Sequence, residues 1–303
     1  MNTLLVLLGP TGVGKTEWSL KIAEALGSPI ISADSRQIYR GMTIGTAAPT
    51  EQQLQHVPHH FIGILNPEEY YSASQFEEEA VALTDQLFET YPCVVMTGGS
   101  MMYIDAVCHG IDEIPTIDEK LRDELNALYR KEGLDAIRSR LKILDPQFYD
   151  QVDLKNPKRV IHALEVCLMA GKPYSSLRRK QRKVRPFHIL KIGFMRDRGE
   201  LYDRINKRVD EMIEKGLAEE ALHFYPMRHL NALNTVGYKE LFDYFSGICT
   251  LESAIDKIKQ HSRNYARKQM TWFNRDKEIH WINLSDEGID VAQHVLNHLR
   301  IES

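Results

Sequence analysis

Eight residues near the amino terminus, Gly9, Pro10, Thr11, Gly12, Val13, Gly14, Lys15 and Thr16, fit the pattern G-x-x-x-x-G-K-[ST]. The backbone N–H groups of such a loop turn towards phosphate oxygens at the positive end of the following helix. Lys15 adds a point charge for the phosphates and Thr16 a hydroxyl for Mg²⁺. The loop is of the nucleotide-binding, ATP-binding kind. The pattern leaves open whether its ligand is a nucleoside triphosphate or another polyphosphate. A second chemical group stands at Asp34, where the apolar run 29–32 ends. A carboxylate facing the loop can take a proton from an acceptor nucleophile. Its alternatives are to cap a helix or to hold Mg²⁺ through water. Arg36, Gln37 and Arg40 follow, polar groups suited to an acceptor that is itself anionic.

Positioning these groups requires a sheet. Residues 3–8 (TLLVLL) read as a buried strand running into the loop, and 17–26 as a helix with Trp18, Ile22, Ala25 and Leu26 on one face. Further strands are expected over 29–32, 61–65 and 93–97, the last halted by Gly98 and Gly99, with a helix over 74–88. Alternating strands and helices give a parallel sheet, whose ligands gather at the carboxyl ends of the strands. Asp34 therefore belongs on the same edge as the loop. After Gly110 the pattern turns helical, over 121–129, 134–144 and 157–169, and strand texture returns at 189–194. The expected fold is α/β: a P-loop NTPase-like parallel sheet flanked by helices, with an inserted all-helical lobe. The core takes 1–114 and 189–303, the lobe 115–188. Helices over 200–214, 217–225, 239–245 and 251–273 and a strand over 279–284 complete the core. No internal repeat or low-complexity stretch interrupts it.

The chain has 303 residues, 43% hydrophobic and 26% charged, which excludes disordered and collagen-like classes. Its longest aliphatic run, 4–8, is far short of the ~20 residues of a membrane span, so no membrane is expected. Cys93, Cys108, Cys167 and Cys249 form no C-x-x-C pair and read as reduced thiols of a cytoplasmic protein. Net charge is −4, but unevenly spread. Residues 1–120 carry 5 basic and 16 acidic side chains, whereas 172–191 hold eight basic residues and no acid. One half alone is thus suited to a polyanion; the competing reading is a solvated surface.

Several blocks together resemble a family. GPTGVGKT at 9–16, DSRQIYRGMTIGTAAP at 34–49, PHHFI at 58–62, GGSMMY at 98–103, RVIHALEV at 159–166, VGYKE at 236–240 and RNYARKQMTWF at 263–273 fall in the order and spacing of the tRNA dimethylallyltransferases (tRNA isopentenyltransferases, IPP transferases). The resemblance spans essentially the whole chain. It is to the bacterial type, without a zinc-finger extension or transit segment.

The resemblance implies a reaction: transfer of a dimethylallyl group from dimethylallyl diphosphate to N6 of adenosine 37, in tRNAs reading U-initial codons. It implies Asp34 as general base and Thr11 at the bridging oxygen of the donor. Lys15 and Arg198 become diphosphate-binding cations, and Mg²⁺ at Thr16 the metal. Its tRNA-contacting positions fall on Asp34, Ser35, Arg36, Gln37, Ser100, Arg122, Lys158, Arg159, Val160, Ile161, His162, Asn234, Thr235, Val236, Gly237, Tyr238 and Lys239. The basic run and the Arg263, Arg267 and Lys268 helix become phosphate contacts of the anticodon stem-loop. A monomer is expected. The family usually has Thr at Ser100, Arg at His162, Gln at Lys158, and Asn-Asp at Lys155 and Asn156. The alternatives from the residues alone are a P-loop small-molecule kinase and an RNA-binding switch ATPase.

Overall fold

The computed structural model describes residues 2–112, 114–115, 118–178 and 182–302. It divides into two units, Met1–Cys108 with Val184–Ser303, and His109–Lys183. The insert thus begins and ends several residues before the 115–188 read from the sequence.

In the first unit, β1 (Thr3–Leu8) leads into α1 (Lys15–Leu26). Then come β2 (Ile30–Ser32), α2 (Glu51–His56), β3 (His59–His60), α3 (Ala73–Leu87), β4 (Cys93–Thr97) and α4 (Met101–His109). The insert contributes α5 (Glu119–Leu144), α6 (Pro146–Tyr149), α7 (Pro157–Ala170) and α8 (Tyr174–Leu177). The chain returns to the first unit with β5 (His188–Met195), α9 (Arg198–Glu214), α10 (Leu217–Phe224), α11 (Tyr238–Phe245), α12 (Leu251–Phe273), β6 (Ile279–Asn283) and α13 (Val291–Glu302).

The strands form one parallel sheet in the order β3-β2-β4-β1-β5-β6. Every residue of β1 is buried, as expected of a strand covered on both faces. Leu4, Val6 and Leu8 join Val94 and Met96 on one side of the sheet. Leu5 and Leu7 join Val95, Leu190 and Ile192 on the other. Because all strands run the same way, the ends of β1, β2 and β4 share one edge, and each is followed by a chemically distinctive turn.

Three local departures have physical causes. The third strand lies at 59–60 rather than 61–65, because Phe61 takes a φ of 64° that leaves the strand geometry; its ring packs edge-on to Phe76 at 5.1 Å. The short polar helix α2 buries no side chain and so has no apolar period, although Thr50 and Gln53 cap it reciprocally. Two expected helices of the insert run on as α5, bent at Gly133 (φ 80°).

In the second unit, Leu125, Ile137 and Leu141 of α5 pack with Val160, Ile161 and Leu164 of α7. The buried Asp145 carboxylate caps α6 at Phe148 N (2.9 Å) and accepts from Ser175 N and Oγ (2.6 and 2.7 Å), tying α8 to it.

Candidate active site

The loop between β1 and α1 is held from inside by its own lysine. Lys15 Nζ donates to Gly9 O and Pro10 O, both at 2.9 Å. Burial first, and the Arg208 guanidinium second, push its ammonium down to about 7; Asp34 pulls the other way. Val13 is wholly in the core, so it serves the loop through its backbone. Thr16, at the start of α1, lines a cavity of about 1000 Å³ together with Lys15 and Asp34.

α9 grips the loop from outside. Arg204 Nε donates to Gly12 O at 3.1 Å, and Arg208 to Thr11 Oγ1 at 2.5 Å. Their i,i+4 spacing puts both on one face of the helix. Arg196, just before the helix, donates from Nε to Val13 O at 2.9 Å. Arg208 Nε is buried and, among the described residues, has no hydrogen-bond partner, a free donor whose chemistry suits an anion. Arg198, the residue expected to bind diphosphate, is instead exposed at the first position of α9, 5.2 Å over the Tyr202 ring. It does not line the cavity, whereas Arg204 and Arg208 do. Roughly one and a half to three helical turns separate it from the two that face the loop.

Asp34 follows β2. Its Oδ1 accepts from Arg36 N (2.9 Å) and Gln37 N (3.3 Å), which turns the chain and fixes the carboxylate. Gln37 spends its side chain locally: Nε2 donates to Thr46 O and Ala47 O, and Oε1 accepts from Ser32 Oγ. Glu220 of α10 ties the same loop down. It accepts from Thr43 N and Oγ1, Ile44 N, Gly45 N and Tyr238 OH, at 2.6–3.0 Å. Across β4, a Cβ on Gly98 would lie 2.1 Å from Ala33 O. Glycine there lets Ser100 N reach Ala33 O at 3.1 Å, which brings Ser100 beside the Asp34 turn.

A second cavity, of about 300 Å³, adjoins the first. Both are lined by Thr11, Asp34, Thr46, Arg208, Met212 and Tyr265. The smaller one also has Ser35, Arg36, Ser100, Asn234, Thr235, Val236, Gly237 and Lys239 in its walls. Tyr238, expected with them, turns the other way: it is fully buried, with its hydroxyl on Glu220. Burial, with Asp34 adding to it, pushes the Tyr265 hydroxyl up to about 12, so it stays a donor, reaching Gly99 O at 3.3 Å.

Comparison with known proteins decides the family. A family model described as IPP transferase matches residues 37–276. The chain belongs to the IPP transferase family. A curated relative named tRNA dimethylallyltransferase 2, from Parabacteroides distasonis, is 61% identical over 295 residues, 97% of this chain and 98% of the relative. The crystal structure of full-length tRNA isopentenylpyrophosphate transferase from Bacillus halodurans matches at TM-score 0.71 and 36% identity, covering 100% of this chain and 96% of that one. A eukaryotic dimethylallyltransferase acting on tRNA shares the fold, at TM-score 0.81 and 21% identity, with 100% and 80% covered. Among the described residues no helix is long and apolar enough to cross a membrane.

The second unit of this family member separates the expected contact residues by helix face. Lys158 and Arg159 are on α7 with His162, and Arg159 is exposed. Val160 and Ile161, expected to touch RNA, are core residues at 0% and 7% exposure, because one turn of helix cannot present five consecutive side chains to one side. Arg122 donates to the buried Glu165 Oε2 at 2.6 Å, and His162 Nδ1 lies 3.6 Å from the same oxygen.

The basic run is not one surface either. Lys191 is buried in β5, bonded to Asp276 and Glu278 at 2.6 Å each. Arg185 is buried against Glu77 at 2.7 Å. Both are structural ion pairs of the first unit. Arg178 lies over the Phe148 and Tyr174 rings, while Arg179 and Lys180 fall outside the described residues. On α12, Arg263 donates to Asn206 Oδ1 at 2.5 Å, and Arg267 and Lys268 are exposed.

Proposed function

We propose that the enzyme transfers a dimethylallyl group from dimethylallyl diphosphate to N6 of adenosine 37, in tRNAs reading U-initial codons. The observation that carries this reading is the shared wall of the two cavities: Thr11 and Arg208, beside the phosphate loop, and Asp34 line both. A diphosphate on the loop and an acceptor in the smaller cavity would meet at these side chains.

The exocyclic amine of adenine is a weak nucleophile because its lone pair is delocalised into the ring. The C–O bond of the donor breaks as the N6–C bond forms, and Asp34 takes the proton that N6 releases. Diphosphate leaves with the electron pair of the C–O bond. Lys15, Arg208 and the loop amides meet the charge that grows on it. Thr11 Oγ1, already held by Arg208, is the proposed contact of the bridging oxygen as it departs. The residues fit Mg²⁺ in its usual manner, shared between a protein hydroxyl and phosphate oxygens rather than caged by protein. Thr16 and Asp34 line the larger cavity, and the described residues hold no cluster of three or more His, Cys, Asp or Glu able to bind metal alone. Mg²⁺ held by Thr16 and the diphosphate would supply further neutralisation of the leaving group.

The acceptor adenine must leave the anticodon-loop stack to enter the smaller cavity. Ser35, Arg36, Ser100, Asn234, Thr235, Val236, Gly237 and Lys239 are the proposed contacts in the first unit. Arg122, Lys158, Arg159 and His162 are those of the second, to the backbone of the anticodon stem-loop. The enzyme is proposed to work as a monomer in the cytoplasm.

The test is incubation with dimethylallyl diphosphate, Mg²⁺ and unmodified tRNA, followed by mass analysis of the nucleosides. Adenosine 37 should gain one dimethylallyl group without ATP. A requirement for ATP hydrolysis would favour the kinase or ATPase alternative instead.

A further inference from the structure

The phosphate loop does not have all of its amides available. Thr11 N, the third residue of the loop, donates to Gln269 Oε1 at 2.8 Å. Nε2 of the same side chain donates to Gly99 O at 2.8 Å. Gln269 belongs to α12 and is 1% exposed, with both ends of its carboxamide satisfied. A Cβ on Gly99 would stand 2.7 Å from Gln269 Nε2 and 3.9 Å from Lys15 Nζ. Glycine at 99 is therefore what admits the carboxamide, which lines the same cavity as the loop lysine. The helix that carries it is anchored: Trp272 Nε1 donates to Asp105 Oδ2 of α4 at 2.8 Å.

A loop that serves a nucleoside triphosphate holds the β- and γ-phosphates with its backbone and its lysine. Here a neutral side chain bridges the first half of the loop to the turn after β4. It takes a backbone donor out of phosphate service. It also takes up room in the wall of the loop's cavity, which it lines together with Lys15 and Thr16. Displacing it breaks both of these hydrogen bonds, which opposes displacement.

We infer that Gln269 is a specificity-determining residue, filling the place of a third phosphate and restricting the loop to a diphosphate. This rests on the reading of the loop as the diphosphate site. It assigns to α12 the choice of ligand that the loop motif leaves open.

The experiment is calorimetric titration of the whole chain with inorganic pyrophosphate and with inorganic tripolyphosphate, at fixed Mg²⁺. Wild type is expected to bind pyrophosphate the more tightly. In Gln269→Ala the space opens and the Thr11 N–H is freed. The affinity of tripolyphosphate relative to pyrophosphate should then rise about tenfold, the scale of one hydrogen bond to a charged group. Gln269→Asn, one methylene shorter, cannot span both partners. It should move the ratio the same way, and it carries the test if the alanine variant does not fold. A folded variant that keeps the wild-type ratio overturns the inference while leaving the diphosphate reading intact. Failure of wild type to bind pyrophosphate at all overturns both.

Discussion

Lys15 makes the affinity for the donor depend on pH, with a sign set by its surroundings. In the protein alone, burial and Arg208 hold its pKa at about 7 against an ordinary 10.5. A bound diphosphate puts negative charge against the ammonium and raises the pKa again. Above pH 7 the free protein must therefore take up a proton to bind. At pH 8.5 only about 3% of Lys15 is charged beforehand, so close to one proton is taken up per donor bound. Affinity should fall roughly tenfold per pH unit above 7, until the pKa of the complex is reached. Phosphate groups lose their second proton near 6, so the ligand itself is fully ionised in this window. The sign for folding is opposite. Unfolded Lys15 titrates near 10.5, so between about 7 and 10.5 the unfolded chain holds more protons, and the contribution of Lys15 to stability rises with pH. Titrations with dimethylallyl diphosphate at pH 8.5, in two buffers of different ionisation enthalpy, count the protons. Lys15→Arg, which stays charged at any accessible pH, should abolish the uptake. No uptake by wild type, or equal uptake by Lys15→Arg, would refute the reasoning.

Three other outcomes are expected. Asp34→Asn should slow single-turnover transfer about 10²–10⁴-fold, the range for a positioned proton acceptor, with tRNA affinity little changed; a near-normal rate would remove Asp34 as the base. Arg208→Ala should raise the KM for donor and lower kcat far more than Arg198→Ala, because only Arg208 reaches Thr11 and the cavity; equal effects would contradict that assignment. Replacing Lys158 and Arg159 together by Gln should flatten the salt dependence of tRNA binding by roughly 0.7–0.9 in log–log slope for each phosphate that is no longer neutralised. An unchanged slope would remove α7 from the RNA footprint.

Most of the sheet was legible because β1, β2 and β4 are apolar runs closed by turn residues, and two-sided burial makes such runs nearly continuous, whereas β3 is only His59–His60. The phosphate loop was legible because its residues are contiguous. The residues that hold the loop were not. Arg204, Arg208 and Gln269 lie 192 or more positions from the phosphate-loop atoms they grip, and arginines on an exposed-looking helix carry no local mark of a distant partner. The i,i+4 pair Arg204 and Arg208 was the available signal, whereas the expectation for Arg198 came from the family resemblance. Two members of the basic run were misjudged for a related reason. Charge counted along the chain cannot distinguish solvated side chains from Lys191 and Arg185, whose carboxylate partners are 85 or more residues away.

The acceptor side shows the same dependence on distant support. Residues 43–47 wall the two cavities, yet the carboxylate that holds residues 43–45, Glu220, comes from a helix and not from the sheet. Glu220 gathers the loop and Tyr238 onto α10, while Gln37 ties Thr46 and Ala47 back to the strand end that carries Asp34. The Asp34 turn and the cavity wall are thus coupled through the Gln37 carboxamide. On the other side, Arg208 and Gln269 couple Thr11 to α9 and α12. The two cavities are consequently braced by the same helices: α9 lines both through Arg208 and Met212 and α12 through Tyr265, along the shared wall that also holds Thr11, Asp34 and Thr46. In the proposed transfer, bond breaking and bond making occur at one carbon, and a wall common to both cavities is what can align the two reactants against each other.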